Sequence, residues 1–398
     1  MDRPRRVVLV QRSLRNYRAG FFDLLRADLA QDGVELLLLH STPARGADTR
    51  DDALDVPWST NIGRRVVRVG GRPLVWQPLV EALRDADLVI VEQASQLLLN
   101  YRLLLRQALG GPRVAFWGHG RSFAEDPSAL GERIKAWVSS RPHWWFAHTR
   151  LSADVLRGFG VAASRITVVD NAIDTDRLRR ELAAVSADDL ERLREELGLG
   201  SGPIGLFLGN LRDEKRLDVL VEAAALVRRE VPELQLVVVG HGPAAATTAG
   251  VPWMHVLGPR YGAERAAVLR LATVMLVPAA VGLVVLDGLV AGVPLVTSRD
   301  GAHGPEIVYL EDGETGVLVD GQPDARRYAA AVTALLEDEA TLASMRRRAL
   351  DAAERYSLEA FAGRFAAGIR DALASPPGRT GRRRRDAHGG ARQRSGKP

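Results

Sequence analysis

The chain has 398 residues, of which 46% are apolar and 26% charged, and its formal net charge is +5. That length points to two domains, and the absence of cysteine excludes disulfides and thiolate metal sites. The apolar run of MDRPRRVVLVQRS is too short for a signal-peptide core, and no stretch reaches the ~18 apolar residues of a membrane span. A cytoplasmic protein is therefore expected, with peripheral attachment to the inner membrane face as the only membrane association.

In chain order, RRVVLVQ (5–11) reads as a strand, and GFFDLLRADLAQDG (20–33) as a helix with Phe21, Leu24, Leu25 and Leu29 on one face. Strands follow at 34–40, 65–71 and 86–93, with a helix predicted over 75–85. Next come a helix over 97–109, a strand over 112–120, a helix near 130–139 and a strand in HWWFAHT (143–149). Apolar runs without alternation, separated by helices, signal parallel strands buried on both faces. Residues 1–180 thus read as a doubly wound α/β domain, and the polar, strand-free stretch 181–202 as a linker. The pattern restarts with strands near 203–209, 234–242, 253–258, 273–278, 293–298 and 315–320, interleaved with helices, giving a second domain over 203–356. The expected architecture is α/β, two Rossmann-like doubly wound domains with a ligand cleft between them. An amphipathic helix over 357–374 follows the second domain and is expected to pack back on the first.

The last 24 residues, SPPGRTGRRRRDAHGGARQRSGKP, carry a net charge of +7, so the rest of the chain sums to −2. A tail of Gly, Pro and Arg cannot bury enough apolar surface to fold, and residues 375–398 read as disordered. Weak attraction to an anionic membrane surface is the partner such a cluster suits. With no aromatic residue to stack bases, nucleic acid is not an expected partner.

The first βα turn, QRSLRNYRAGFF, lacks the three glycines of a dinucleotide fingerprint, and no P-loop occurs. In the second domain, NLRDEKRLDVL sets Asn210, Arg212, Lys215 and Arg216 at a helix start, where N–H groups and a lysine favour an anion. Diphosphate is the candidate ligand, and a merely solvated loop the plain alternative. In PAAVGLVVLDGLVAGVP (278–294), Gly282 lets backbone approach a ligand. Asp287 is a carboxylate among apolar residues and needs a partner, either ribose hydroxyls or a backbone or Arg group.

The run LGNLRDEKRLDVLVEAAALV, then LQLVVVGHGP, VPAAVGLVVLDGLVAGVPLVTS and HGPEIVYLEDGETGVLVD, resembles the C-terminal half of the GT-B glycosyltransferases of family 4, in order and spacing over roughly 203–373. The first half is similar more weakly, through NYRAGFF, WGHG, FAHTRLSADVL and NAID, the last resembling the family's Asn-Gly-Ile-Asp signature. The resemblance implies a metal-independent, retaining transferase that moves a sugar from a nucleotide diphosphate to an acceptor hydroxyl, in polysaccharide, glycolipid or cell-envelope glycan synthesis. No cofactor is implied beyond the donor, and the acceptor would be a glycan or a lipid-linked molecule. Lys215 matches the family's diphosphate lysine, while Asn210 stands where an Arg is usual and Arg212 is the substitute. Asp287 matches the second carboxylate of the Glu-x7-Glu motif, which holds the ribose; the first, sugar-side carboxylate falls on Ala279. His119 matches a cleft histidine that hydrogen-bonds the donor sugar. Tyr17, Arg18 and Gly20 fall in the loop for acceptor and diphosphate.

Two readings of Ala279 stay open. Either the chain is an inactive nucleotide-sugar-binding protein, or it belongs to a variant branch in which Gly282, Leu283, His303 and Glu306 make the sugar contacts. The second is favoured because the phosphate lysine, the glycine turn and the HGPE stretch are all retained. A GT-B nucleotide-sugar epimerase, which needs no acceptor, is a further alternative. The tryptophans of HWWFAHT, and His148 beside them, read as core residues rather than ligand groups.

Overall fold

The computed structural model describes residues 3–14, 18–41, 56–70, 72–120, 133, 136–248 and 250–376. Tyr17, most of the helix expected near 130–139 and most of the basic tail lie outside them. Residues 136–139 are helical.

The first domain is built on β1 (Arg5–Gln11), β2 (Val34–His40), β3 (Thr60–Asn61), β6 (Leu88–Glu92), β7 (Arg113–Gly118), β8 (Trp144–Ala147) and β9 (Ile166–Val168), with β4 (Arg65–Val69) and β5 (Arg72–Trp76) forming a separate hairpin. The sheet order is β3-β2-β1-β6-β7-β8-β9, every pair parallel. Its helices include α1 (Ala19–Gln31), α2 (Leu98–Ala108) and α3 (Arg150–Gly158). Val7, Val8, Leu9, Ile90 and Phe146 are fully buried, as strands covered on both faces require.

Two expectations in this half are corrected. Residues 65–71 do not enter the sheet; β4 pairs antiparallel with β5, Arg65 opposite Trp76, and turns at Gly70 with φ +57°. Nor is there a helix over 75–85. β5 occupies its start, and a short 3₁₀ turn, Glu81–Leu83, its end. Pro73 and Pro78 explain this, because each removes a backbone donor and disfavours helical geometry in the preceding residue.

The stretch read as a linker, 181–202, holds the end of α4 (Thr175–Ala184) and all of α5 (Ala187–Leu197). Asp174 caps α4, and Ser186 with Asp189 forms a reciprocal capping box on α5. The second domain then runs through β10 (Ile204–Leu208), α6 (Leu217–Val227), β11 (Gln235–Val239), β12 (Met254–Gly258), α7 (Gly262–Leu271), β13 (Val274–Leu276), α8 (Val284–Ala291), β14 (Leu295–Ser298), β15 (Gly316–Val319), α9 (Ala325–Glu337) and α10 (Glu339–Ala353). Its strand order, β12-β11-β10-β13-β14-β15, is again wholly parallel. α4 packs on α7 and α8, so the connecting helices are part of the second domain's wall.

The last helix, α11 (Leu358–Ala374), lies on the first domain. Phe361 stacks on Phe21 at 4.2 Å and Phe365 on Phe146 at 4.2 Å, all four fully buried. Burial of such a side chain stabilises by about 1.5–3 kcal/mol. Arg370 pairs with Asp28 and Asp32 of α1, and Arg113 donates to the closing carbonyls of Ala372 and Leu373. Both sheets reverse direction of growth beside their first strand, at β1/β6 and β10/β13, which opens a crevice at the carboxyl ends.

Candidate active site

At the carboxyl end of β10 the chain passes through Gly209 and Asn210, and at the end of β11 through Gly240 and His241. The two loops touch so closely that a Cβ on Gly240 would lie 1.8 Å from the Gly209 carbonyl oxygen. With Pro259, Arg260, Tyr261, Arg265, Val284 and Asp287 they line a cavity of about 260 Å³. Asn210 is exposed there, while Arg212 is not a lining residue and stands exposed at the head of the 3₁₀ turn Asp213–Lys215.

Asp287 projects from α8 and is 7% exposed. Its partner is Arg265 of α7, Nη1 to Oδ1 at 3.1 Å, and Arg265 also faces Glu181 of α4 at 3.7 Å. Burial pushes the Asp287 carboxyl up, against the pull of Arg265. The arginine alternative for its partner is therefore present, within the wall of the same cavity.

The turn before α8 is built from backbone. Ala280 adopts φ +52°, its N–H donates to Gly301 O at 2.6 Å, and its carbonyl accepts the Lys215 ammonium. Burial lowers Lys215 to about 8, no carboxylate pairs with it among the described residues, and Glu214 is the nearby acid. Beyond Ala280 the turn presents Gly282 and Leu283, and a Cβ on Gly282 would meet nothing within 4 Å, so its face is open to a ligand. The Val285 and Leu286 N–H groups close on the Gly282 and Leu283 carbonyls, and the positive end of the α8 dipole faces the turn.

His303 has a different role from the expected sugar contact. Val281 N–H donates to Nδ1 at 3.1 Å, and Nε2 donates to Ser298 O at 2.6 Å. Both ring nitrogens are committed, so the side chain braces the 280–282 turn and has no atom left for a donor. Ala279 is 2% exposed and packs under Gly301.

Glu306 also departs from expectation. It sits in the 3₁₀ turn Pro305–Tyr309, 4% exposed, and faces the first domain. Asn171 Nδ2, just past β9, donates to its Oε1 at 3.1 Å, and His148 Nδ1, just past β8, lies 3.7 Å away. His148 packs edge-on against His119, just past β7, with ring centroids 4.1 Å apart. Three successive strands thus deliver His119, His148 and Asn171 to one carboxylate from the other domain. Burial lowers both histidines, against the pull of the Glu306 carboxylate. Burial would raise Glu306, but His148, His119 and the Asn171 amide outweigh it and hold the carboxyl below its usual range. Ligand atoms of His119, His148 and Glu306 lie within 4.8 Å of one another, a donor set that suits a divalent cation. The Asn171 hydrogen bond and the ring packing account for the arrangement without one.

Arg18 lies 4.2 Å over the Trp117 ring and donates to Gln11 at 3.4 Å, on the His119 side of the cleft. Gly20 is corrected to a packing position, since a Cβ there would come within 2.9 Å of Leu358 in α11. The sequence reading missed Arg265, Asn171 and His148 as site groups. Asn171 carried a signal in NAID, whereas nothing local marks Arg265 as the partner of a residue 22 positions on.

Comparison with known proteins places these features in a family. Residues 21–177 match the family described as Glycosyltransferase Family 4, and residues 202–338 the family described as Glycosyl transferases group 1. The chain is 30% identical over 240 residues to D-inositol 3-phosphate glycosyltransferase of Corynebacterium glutamicum (strain R), covering 56% of this chain and 55% of that protein. It is 35% identical over 191 residues to GDP-mannose-dependent alpha-(1-6)-phosphatidylinositol monomannoside mannosyltransferase of Mycolicibacterium smegmatis, covering 44% and 47%. The chain spans about half the length of the curated relatives it matches. In fold it is similar to Anabaena Alr3699/HepE, solved in complex with UDP, with a TM-score of 0.65 at 15% identity over 92% of this chain and 99% of that one. With two matched family segments, collinear motifs and paired parallel-sheet domains, the chain belongs to the GT-B glycosyltransferases of the family 4 type.

Proposed function

We propose that the protein transfers a sugar from a nucleotide-diphosphate donor to an acceptor hydroxyl, with retention and without a resident metal. The acceptor would be a glycan or lipid-linked molecule of polysaccharide, glycolipid or cell-envelope synthesis. The observation that carries this reading is Lys215, a partly buried ammonium that donates to the Ala280 carbonyl at the foot of the α8 turn and has no carboxylate partner among the described residues. Such a charge calls for an anion, and the departing diphosphate develops one as the reaction proceeds.

In this reading the nucleotide lies over the cavity beside Asn210 and Pro259–Tyr261, with its ribose against Asp287 and Arg265. The bond from the anomeric carbon to the diphosphate oxygen breaks, and the acceptor oxygen bonds to that carbon on the same face. The acceptor proton passes to the leaving phosphate oxygen. The protein orients the donor and stabilises phosphate charge through Lys215 and the α8 N-terminus. His119 faces the sugar from the first domain, held in place by His148 and Glu306.

The buried position of Ala279 favours an active variant site over a decayed one. The space beneath Gly301 is filled, and His303 braces the turn from backbone to backbone. The relatives' names carry GDP-mannose and inositol phosphate, and the structural neighbour holds UDP. UDP-, GDP-, ADP- and TDP-sugars are therefore the donors to test, with water as the default acceptor. One donor should release nucleotide diphosphate and a sugar whose first-formed anomer, read by NMR, keeps the donor configuration. In Lys215→Ala this turnover should fall by on the order of 10²–10³. Inversion, or undiminished turnover in the variant, would refute the mechanism.

A further inference from the structure

The cluster where the domains meet holds polar atoms that its hydrogen bonds leave unused. His148 Nδ1 and Asn171 Oδ1 are buried without a hydrogen-bond partner among the described residues, in side chains of residues 7% and 2% exposed. Glu306 Oε1 stands 3.7 Å from that His148 nitrogen, beyond hydrogen-bonding reach, while the Asn171 amide meets the same oxygen through Nδ2. Buried polar atoms are nearly always satisfied, and each exception needs an explanation. These two belong to side chains that converge on one carboxylate, beside the His119 ring. Lone pairs gathered around a carboxylate suit a cation.

His119, His148 and Glu306 supply two imidazole nitrogens and a carboxylate oxygen, all within 4.8 Å of one another. Two histidines with one carboxylate are a set that first-row divalent metals take, with coordination positions left open. Bonds to zinc of about 2.0–2.2 Å hold ligand atoms roughly 3–3.5 Å apart, so the three groups must draw in by about 1 Å. Magnesium, which demands a rigid octahedron of oxygens, does not suit imidazoles. Of the charges nearby, Glu92 favours a cation and Arg18 opposes it. With Glu306, two carboxylates then stand against one guanidinium. His119 is half-buried where the other two ligands are buried, so an ion enters from its side of the cleft.

We propose that His119, His148 and Glu306 form a capture site for a divalent transition-metal ion, zinc foremost, which fastens the two domains together and inhibits transfer. The network already holds through the Asn171 hydrogen bond and the ring packing, so the ion is an inhibitor that the protein binds and releases, not a resident part of the enzyme. Binding draws on residues of both domains and is independent of the donor. The inhibition rests on the reading that His119 faces the sugar. A ring nitrogen bonded to the ion is lost to the sugar, and the clamp opposes movement between the domains.

The test uses the full chain without a purification tag. Zn²⁺ and Mg²⁺ are titrated calorimetrically in the absence of nucleotide, and Co²⁺ serves as the spectroscopic probe. A single Zn²⁺ should bind per chain, Mg²⁺ should not, and the visible spectrum of the Co²⁺ form should show nitrogen ligands. His119→Gln and His148→Gln, each checked for cooperative unfolding, should weaken Zn²⁺ binding at least about tenfold. A chain ending at residue 376, which lacks the tail histidine His388, should bind like wild type. With the best donor, Zn²⁺ should abolish turnover and a chelator should restore it. The inference is overturned if both variants bind Zn²⁺ like wild type, if the truncated chain loses the site, or if Mg²⁺ binds equally well. A filled site with turnover unchanged would overturn the inhibition, and with it the place of His119 at the sugar. Absence of turnover with every donor would count against the transfer reading alone, and the binding measurements would still decide the site.

Discussion

Ala279 stands where the family resemblance would put a sugar-side carboxylate, and its neighbours show how the turn holds around an alanine. Gly301 closes over it, Ala280 takes a left-handed conformation, and His303 ties Val281 to Ser298. A glutamate forced into this position would be overpacked and unpaired, costing about 1–3 kcal/mol from packing alone. Ala279→Glu should therefore lower the unfolding midpoint and leave turnover no higher than wild type. If it switched on a silent protein, the natural chain would be a decayed enzyme. Asp287→Asn acts on the nucleotide instead. It weakens the pair with Arg265 and removes the charged acceptor proposed for the ribose, a loss of about 1.5–3 kcal/mol. Nucleotide affinity should fall accordingly, roughly tenfold or more, and a dissociation constant within twofold of wild type would remove Asp287 from the ribose.

The α8 turn, the capped connecting helices and α11 carry the arrangement at the next scale. α11 buries Phe361, Phe365 and Ile369 on the first domain, and loss of one such phenylalanine costs about 3–5 kcal/mol. A chain ending at residue 357 should aggregate or unfold, whereas one ending at 376 should keep soluble turnover. A collapse of soluble activity in the longer truncation would make the tail part of the folded enzyme. The parallel strands and the α8 boundaries were legible in the sequence because buried runs and glycine turns are local signals. The hairpin was misread because a five-residue β-branched run looks alike in a sheet or outside it, and Pro73 within β5 and Pro78 after it were the cue against a helix. His303 and Glu306 were legible as a motif but not in their roles. A ring nitrogen's partner depends on backbone 5 and 22 residues away, and Glu306 depends on a residue 135 positions distant.

Across the whole molecule, the two domains meet at Glu306, His148, His119 and Asn171. Burial lowers both histidines in the folded protein, whereas the unfolded chain takes up those protons near pH ~6.5. Their folded pKa values are depressed, so the unfolded chain binds more protons below that pH, and stability declines as the pH falls. Glu306, held down in the folded protein, adds to the decline below pH ~4.3. Denaturant midpoints measured from pH 7 to 4.5 should fall for the wild type, and His148→Gln should flatten that slope. An equal slope in the variant would show that this cluster does not govern the acid limit.

The central claim is that the cleft binds a nucleoside diphosphate through Lys215, and the direct measurement is the dissociation constant of UDP, GDP, ADP and TDP for wild type and Lys215→Ala. At 100 times its dissociation constant, the right nucleotide should add about 2.7 kcal/mol of stability. Because burial holds the Lys215 ammonium at about 8, affinity should weaken as the pH rises through that value. The account predicts one clear binder whose affinity and pH dependence both disappear in Lys215→Ala. Equal binding by the variant, or no binding by any of the four nucleotides, would contradict it.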